Sequence, residues 1–375
     1  MQRLAEIPRP AESPRLAGAQ HGGAGPLTGA VPIACLTGVA LWKRRRIRDL
    51  IGGNLPHRTT AAAAVALAAK SGGAVATWAS RAPAGLAEAA AAANIPVYQI
   101  EDGFIRSAGL GAKLVPPCSI VVDARGLYYD PTTPSDLEHL LQTEAFPPEI
   151  LARADALAAR IVATGITKYN LPGPEITLPP NRRIILVPGQ VSDDRSVRLG
   201  GAGITDMANL LARVRAAEPT AFILFKPHPD VDAKLRNGAI PDAAALQHAD
   251  AVIRNAALAP LLARVDAVHT LTSLTGFEAL LRGRAVTCHG QPFYAGWGLT
   301  TDMAPIPRRT RRRSLSELVA AALIAYPRYC DPATGRAIAP EQLVESLAAT
   351  AETPASTRWR SAAALANARL QRRTR

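Results

Sequence analysis

The sequence predicts an α/β protein of two doubly wound domains facing each other across a cleft. Three observations lead there. Short apolar runs alternate with Ala/Leu-rich helical stretches, a proline-rich segment breaks that alternation once, and polar clusters stand just after the apolar runs, where a parallel sheet gathers its ligands. A length of 375 residues suits two hydrophobic cores of ~150 residues each, and 48% apolar against 19% charged residues supplies material for both.

Residues 1–29, with recurring Pro, Gly and Ala and no apolar period, read as a disordered leader. In the N-terminal domain, 30–172, strands are expected at 74–78 and 95–100 with a helix at 84–93 between them, which makes a βαβ unit and a parallel sheet. Residues 126–130 read as a short strand and turn, and Ser135 caps a helix over 136–142. A further helix runs over about 148–165, with Leu151, Ala154, Ala158, Ile161 and Val162 on one face. Prolines at 172, 174, 179 and 180 mark the interdomain linker. The C-terminal domain, 173–310, restarts the pattern: strands at 183–188, 221–225, 267–270 and 285–289, with helices at 206–217 and 277–282. Both blocks are Rossmann-like.

The net charge of +13 implies an anionic partner, whether nucleic acid, an anionic membrane or a phosphorylated substrate. It is clumped at 43–46, 308–313 and 372–375, runs that read either as solvated faces and tails or as lipid-surface patches. Aromatic residues are 5% of the chain and none interleave with the arginine runs, which argues against nucleic acid. Cys35, Cys118, Cys288 and Cys330 form no C-x-x-C pair, so neither a disulfide framework nor a zinc site is suggested and a reducing cytoplasm fits. The apolar stretch 33–42 is too short to span a bilayer, and neither a signal peptide nor a transmembrane helix is read. The G-x-G-x-x-G, P-loop, H-E-x-x-H, G-x-S-x-G and D-x-D patterns are missing, which weakens dehydrogenase, P-loop, zincin, hydrolase and metal-ligating readings.

Four polar clusters follow strands. In Glu101-Asp102-Gly103-Phe104-Ile105-Arg106-Ser107, two carboxylates and an arginine offer a general base and a cation for an anionic substrate, or else a helix N-cap with a local ion pair. In Gly189-Gln190-Val191-Ser192-Asp193-Asp194-Arg195-Ser196, Asp194 is a nucleophile or general base, or a cap. In Lys226-Pro227-His228-Pro229-Asp230 the prolines stiffen the backbone around a Lys and a His suited to phosphate. Thr272-Ser273-Leu274-Thr275-Gly276-Phe277-Glu278 opens a helix whose N-terminus suits phosphate and whose Glu278 reaches a ribose, or forms a capping box from Thr275 to Glu278.

Together with Gln291-Pro292-Phe293-Tyr294-Ala295-Gly296-Trp297-Gly298, these motifs resemble, in order and spacing over roughly residues 70–340, the capsule polysaccharide β-Kdo transferases of Gram-negative bacteria. That family commonly carries two similar modules in tandem, and this sequence looks like the second, C-terminal one standing alone. A single module then makes one linkage or works with a second transferase chain. Arg195 departs from the pattern, standing where a small residue is usual.

The resemblance implies a GT-B-type glycosyltransferase with an N-terminal acceptor-side domain and a C-terminal nucleotide domain. It also implies C-terminal helices over 311–350 that pack across the cleft, and a basic tail at 351–375. It implies CMP-Kdo as donor, with no cofactor and no metal, and retaining transfer of β-Kdo to a Kdo-primed lyso-phosphatidylglycerol lipid at the inner face of the cytoplasmic membrane. Asp194 matches the nucleophile and Glu101 the acid/base. Lys226 and His228 match the CMP phosphate contacts, and Ser273 and Glu278 those to phosphate and ribose. Arg106 or Lys226 offsets the carboxylate of Kdo, and Gln190, Ser196, Thr275, Gln291 and Tyr294 complete the expected substrate-binding set. A transferase using another nucleotide sugar, and a non-catalytic polysaccharide or lipid scaffold, are the rival readings.

Overall fold

The computed structural model describes residues 31–174 and 176–352; the expected leader and nearly all of the basic tail lie outside the described residues. Two sheets organise the chain. The first contains β1 (Ile33–Thr37), β2 (Ala74–Trp78), β3 (Val97–Asp102), β4 (Ser119–Asp123) and β11 (Pro327–Tyr329), in the order β1-β2-β3-β4-β11. The second contains β5 (Ile184–Pro188), β6 (Phe222–Lys226), β7 (Ala251–Val252), β8 (Ala267–Thr270), β9 (Ala285–Cys288) and β10 (Thr301–Asp302). Its order is β10-β9-β8-β5-β6-β7 and every pair is parallel.

The second sheet meets the expectation of buried apolar runs joined by helices: β5 and β8 are buried throughout. The first sheet departs from it. β1, β2 and β3 are parallel, but β4 runs antiparallel to β3, and β11 antiparallel to β4. The reason is the connection after β3. Residues 103–118 hold only a single 3-10 turn, Gly111–Lys113, so the chain doubles back instead of making the helical crossover that a parallel neighbour requires. The strand expected at 126–130 is a turn; the strand of this region is β4, whose five residues are all buried.

After the second sheet the chain returns to the first. A helix at Leu315–Val319 passes into a π-helical turn at Ala320–Ala325 and then into β11, where Tyr329 pairs with Ser119. The last helix, Pro340–Glu352, packs on Pro148–Ala163, with Arg153 paired to Glu341 at 2.7 Å.

The basic run at 308–313 is a solvated face only in part: Arg308, Thr310 and Arg312 are exposed, while Arg309 and Arg313 turn inward. Arg309 and Arg313 are buried, and Arg308 and Arg309 together grip Glu138 on the helix Asp136–Thr143. Arg309 also donates to the carbonyls of Pro292 (2.7 Å) and Ala295 (2.8 Å), and Arg313 to those of Leu141 and Glu144, both at 2.6 Å. Buried guanidiniums survive because carboxylate and carbonyl acceptors surround them. The clamp ties the helix after β4 to the loop after β9. An aromatic cluster reinforces the join: Phe104 stacks on Phe293 with ring centroids 4.5 Å apart and meets Tyr128 edge-on at 4.7 Å. Among the described residues no helix is long and apolar enough to cross a membrane.

Candidate active site

The second sheet reverses its winding between β5 and β8, and an open α/β sheet binds ligands at the carboxyl edge beside such a switch point. A cavity of about 760 Å³ opens there and extends to the carboxyl ends of β2 and β3. Gly189 lets two of its loops meet, since a Cβ there would lie 3.0 Å from the Pro227 and His228 backbone.

The structure brings most of the expected residues together. Glu101, Arg106, Gln190, Asp194, Ser196, Lys226, His228, Ser273, Thr275 and Glu278 all line the cavity; Gln291 and Tyr294 do not. Gln291 donates to the Pro305 carbonyl at 3.1 Å, and Tyr294 is fully buried with its hydroxyl on the Ser273 carbonyl, so it holds the Ser273 turn from behind.

Glu101 and Asp102 end β3. Glu101 Oε1 accepts the Asp102 amide at 3.0 Å, and Asp102 is bound by Arg106 at 2.8 Å and approached by Lys43 at 3.6 Å. Burial and the neighbouring Asp102 charge push Glu101 up to about 7, against the Asp102 amide, Lys43 and Lys168. Asp102 moves the other way. Burial would raise it, but Arg106 and Lys43 outweigh that and hold it below the usual range. Two adjacent carboxyls with opposite shifts make one an ionised anchor and leave the other free to exchange a proton near neutrality.

Asp194 caps the short helix Arg195–Gly200, Oδ1 accepting the Ser196 amide at 3.4 Å, while its side chain faces the cavity: cap and site residue at once. Gln190 ties the switch-point loops together. Its Nε2 donates to Thr272 Oγ1 at 2.8 Å and its Oε1 accepts the Thr272 amide at 2.9 Å. Ser273, not Thr275, caps the helix Leu274–Leu281. No Thr275–Glu278 capping box forms, because Glu278 Oε1 accepts the Lys168 amide at 2.8 Å.

His228 Nδ1 accepts the Asp230 amide at 3.1 Å, which leaves Nε2 as the protonated nitrogen of the neutral ring. Burial, then Lys168, Arg236 and Lys226, lower its pKa to about 4, so it enters the site as a neutral donor. Burial also lowers Lys226. Arg106 is spent: at 1% exposure it is bound to Asp102, to Ser107 Oγ at 2.8 Å and to the Val115 carbonyl at 3.0 Å.

The cation that sequence reasoning missed is Lys168. Its amide holds Glu278 on the helix after β8, and its carbonyl accepts the amides of Arg106 and Ser107 after β3, at 3.2 and 3.3 Å, so its backbone is fastened to segments of both sheets. Its ammonium has no ion pair among the described residues. Burial would lower its pKa, yet Tyr169, Asp102 and Asp194 raise it above the ordinary value. Lys43 lies 3.6 Å over the Trp78 ring, and Tyr129 Oη is buried without a partner. Arg195, the departure from the family pattern, reaches over the cleft: Nη1 donates to the Ala79 carbonyl at 2.8 Å and the guanidinium lies 5.9 Å from the Tyr129 ring centre.

The sequence matches the family described as Capsule polysaccharide biosynthesis protein over residues 73–174 and 152–329. It is 47% identical over 255 residues to the capsule polysaccharide modification protein LipA of Neisseria meningitidis, covering 68% of this chain and 36% of LipA. It is 42% identical over 261 residues to the lipopolysaccharide-processing protein LpsZ of Rhizobium meliloti, covering 59% of that protein. The chain thus spans about a third of LipA. Two solved structures from Thermosulfurimonas dismutans KpsC superpose on it, each covering 84% of this chain and 98% of the other. The β-Kdo 2,7 transferase has a TM-score of 0.69 at 36% identity, and the β-Kdo 2,4 transferase a TM-score of 0.72 at 33%. The fold, the cavity motifs and these matches place the chain in the capsule polysaccharide biosynthesis family, alongside the β-Kdo transferases of KpsC.

Proposed function

We propose that the chain is a retaining β-Kdo transferase of GT-B type. It takes Kdo from CMP-Kdo and extends an oligo-Kdo linker on a Kdo-primed lyso-phosphatidylglycerol lipid at the inner face of the cytoplasmic membrane. The observation that carries the proposal is the cavity itself, with Glu101 on the wall from the first sheet and Asp194 on the wall from the second. Net retention needs two inversions, hence a carboxylate nucleophile and a separate proton acceptor. An Asp194 oxygen bonds to the anomeric carbon as the bond to the phosphate oxygen of CMP breaks. The acceptor hydroxyl then attacks that carbon, its proton passes to Glu101, and Asp194 is released.

Lys226, the His228 Nε2–H and the Ser273 turn meet the leaving phosphate. Arg106 is committed to Asp102, so the Kdo carboxylate falls to Lys168, whose charge also eases the approach of Asp194 to an anionic sugar. With these cations in place we expect turnover in EDTA.

The test is CMP release from CMP-Kdo with a Kdo-primed acceptor, with the anomeric configuration of the product read by NMR. A product of inverted configuration, or strong inhibition by EDTA, overturns the mechanism. A thermal-shift panel in which UDP or GDP stabilises the protein and CMP does not favours a different nucleotide sugar.

A further inference from the structure

A second cavity, of about 330 Å³, opens on the first sheet outside the site described above. Gly38, Val39, Ala40, Leu41, Arg44, His57, Thr59, Arg81 and Pro83 line it, so it occupies the carboxyl ends of β1 and β2. That is the sheet edge on which Glu101 ends β3. Two strand spacings, about 10 Å, separate β1 from β3, and the turns Leu41–Lys43 and Ala79–Arg81 stand between the two cavities.

The walls are set tightly. Gly38 adopts φ +67°, and a Cβ on it would lie 2.5 Å from the Arg81 carbonyl, so the turns after β1 and β2 touch. His57 rides on the outer edge of β1, where the Arg58 amide donates to the Leu36 carbonyl at 2.8 Å.

Its polar groups are only partly partnered. Arg44 spends Nε on the Val39 carbonyl at 3.1 Å, and neither Arg44 nor Arg81 has a carboxylate partner among the described residues. His57 Nε2 is buried with no hydrogen-bond partner. Burial, then Arg44 and Arg48, lower the His57 pKa against a hydrogen bond to the Val39 backbone, so the ring stands neutral with its buried Nε2 still to satisfy. Two guanidiniums ask for an anion, and a neutral imidazole beside the Thr59 hydroxyl asks for a hydroxyl.

We infer that this cavity is an acceptor subsite that holds the sugar acid one unit back from the reacting end of the acceptor chain, its carboxylate on Arg44 and Arg81 and a hydroxyl on His57. The inference rests on the Kdo-transfer reading for the identity of the chain, not for the donor set. Such a subsite measures the acceptor, because a chain too short to reach it forgoes the contact.

Titration calorimetry on the full chain tests this with four probes: glycosides of one and of two Kdo residues, phosphatidylglycerol vesicles, and CMP. Arg81 is exposed and carries no ion pair among the described residues, so Arg81→Gln is expected to fold as wild type. It should weaken the two-residue glycoside about tenfold and leave the one-residue glycoside and CMP unchanged; Thr59→Val should weaken the same probe to a smaller degree. Unchanged binding of the two-residue glycoside, an equal loss for both glycosides, or a loss confined to the vesicles overturns the subsite. Wild-type protein that fails to bind CMP yet loses the two-residue glycoside in Arg81→Gln sinks the transferase reading and keeps the subsite.

Discussion

Glu101 and Asp102 are neighbours on one strand, and the amide of the second hydrogen-bonds the carboxylate of the first at 3.0 Å, yet their carboxyls are driven in opposite directions. The division follows from who stands beside each. Arg106 and Lys43 are in contact with Asp102, whereas Glu101 has burial and an anionic neighbour.

Turnover should therefore fall on the acid side with an apparent pKa of about 7. Lys43→Met removes a charge that lowers Glu101 and should move that limb upward by about half a unit to one unit, read from kcat against pH. Stability carries the opposite sign. Glu101 is raised above its unfolded value of 4.5, so the folded state binds the extra proton, and stability falls as pH climbs from 4.5 to about 7. Glu101→Gln should abolish the limb and raise the Tm at pH 8 relative to wild type.

Asp194→Asn keeps an N-cap oxygen, so its melting temperature should match wild type while transfer drops on the order of a thousandfold or more. Equal rates for variant and wild type would remove Asp194 as nucleophile.

The depressed His228 pKa makes a second pH signature. The free protein should show a ring titrating near 4 by NMR. The unfolded chain binds a proton that the folded one refuses between about 6.5 and 4, so acidification through that window costs stability. Saturation with CMP should lift the ring's pKa; a value that does not move rules out the phosphate contact.

Lys168→Met separates sugar from nucleotide. We expect KM for CMP-Kdo to rise about tenfold or more while the Kd for CMP stays within about twofold. Weakening of both ligands alike would assign Lys168 to the nucleotide or to the fold.

Glu138→Gln tests the clamp. Removing one charge from a buried ion pair leaves Arg309 uncompensated, and urea unfolding should register a loss of about 3–5 kcal/mol.

Four strands of the second sheet, β5, β6, β8 and β9, are legible as short, largely apolar runs, whereas the two-residue edge strands β7 and β10 are not; four of the site's loops are legible because they follow strands. β4 is harder to see. Pro116 and Pro117 precede it and no helix separates it from β3, so nothing in the pattern announces a reversal. Lys168 carries no motif: a lone cation before a proline-rich break acquires meaning only when its backbone is found tied to Glu278 on one side and Ser107 on the other. The 308–313 run shows why charge content misleads. Arg313 pairs locally with Glu317, but the other partners of its buried arginines are backbone carbonyls and a glutamate some 170 residues away, which leave no trace in the local sequence.

Because β11 closes the first sheet, the chain cannot complete its sheets in the order it is made. When Asp123 leaves the ribosome, β4 has an open edge, and its partner at Pro327–Tyr329 is still about 200 residues of synthesis away, roughly 10 to 40 seconds. The second sheet, all of whose strands lie between 184 and 302, is finished inside that interval. The first sheet is thus left waiting with an unpaired strand, the state in which a chaperone or a stray edge has its opening. A cut between β4 and β5 would leave the second sheet whole and the first permanently short of its closing strand.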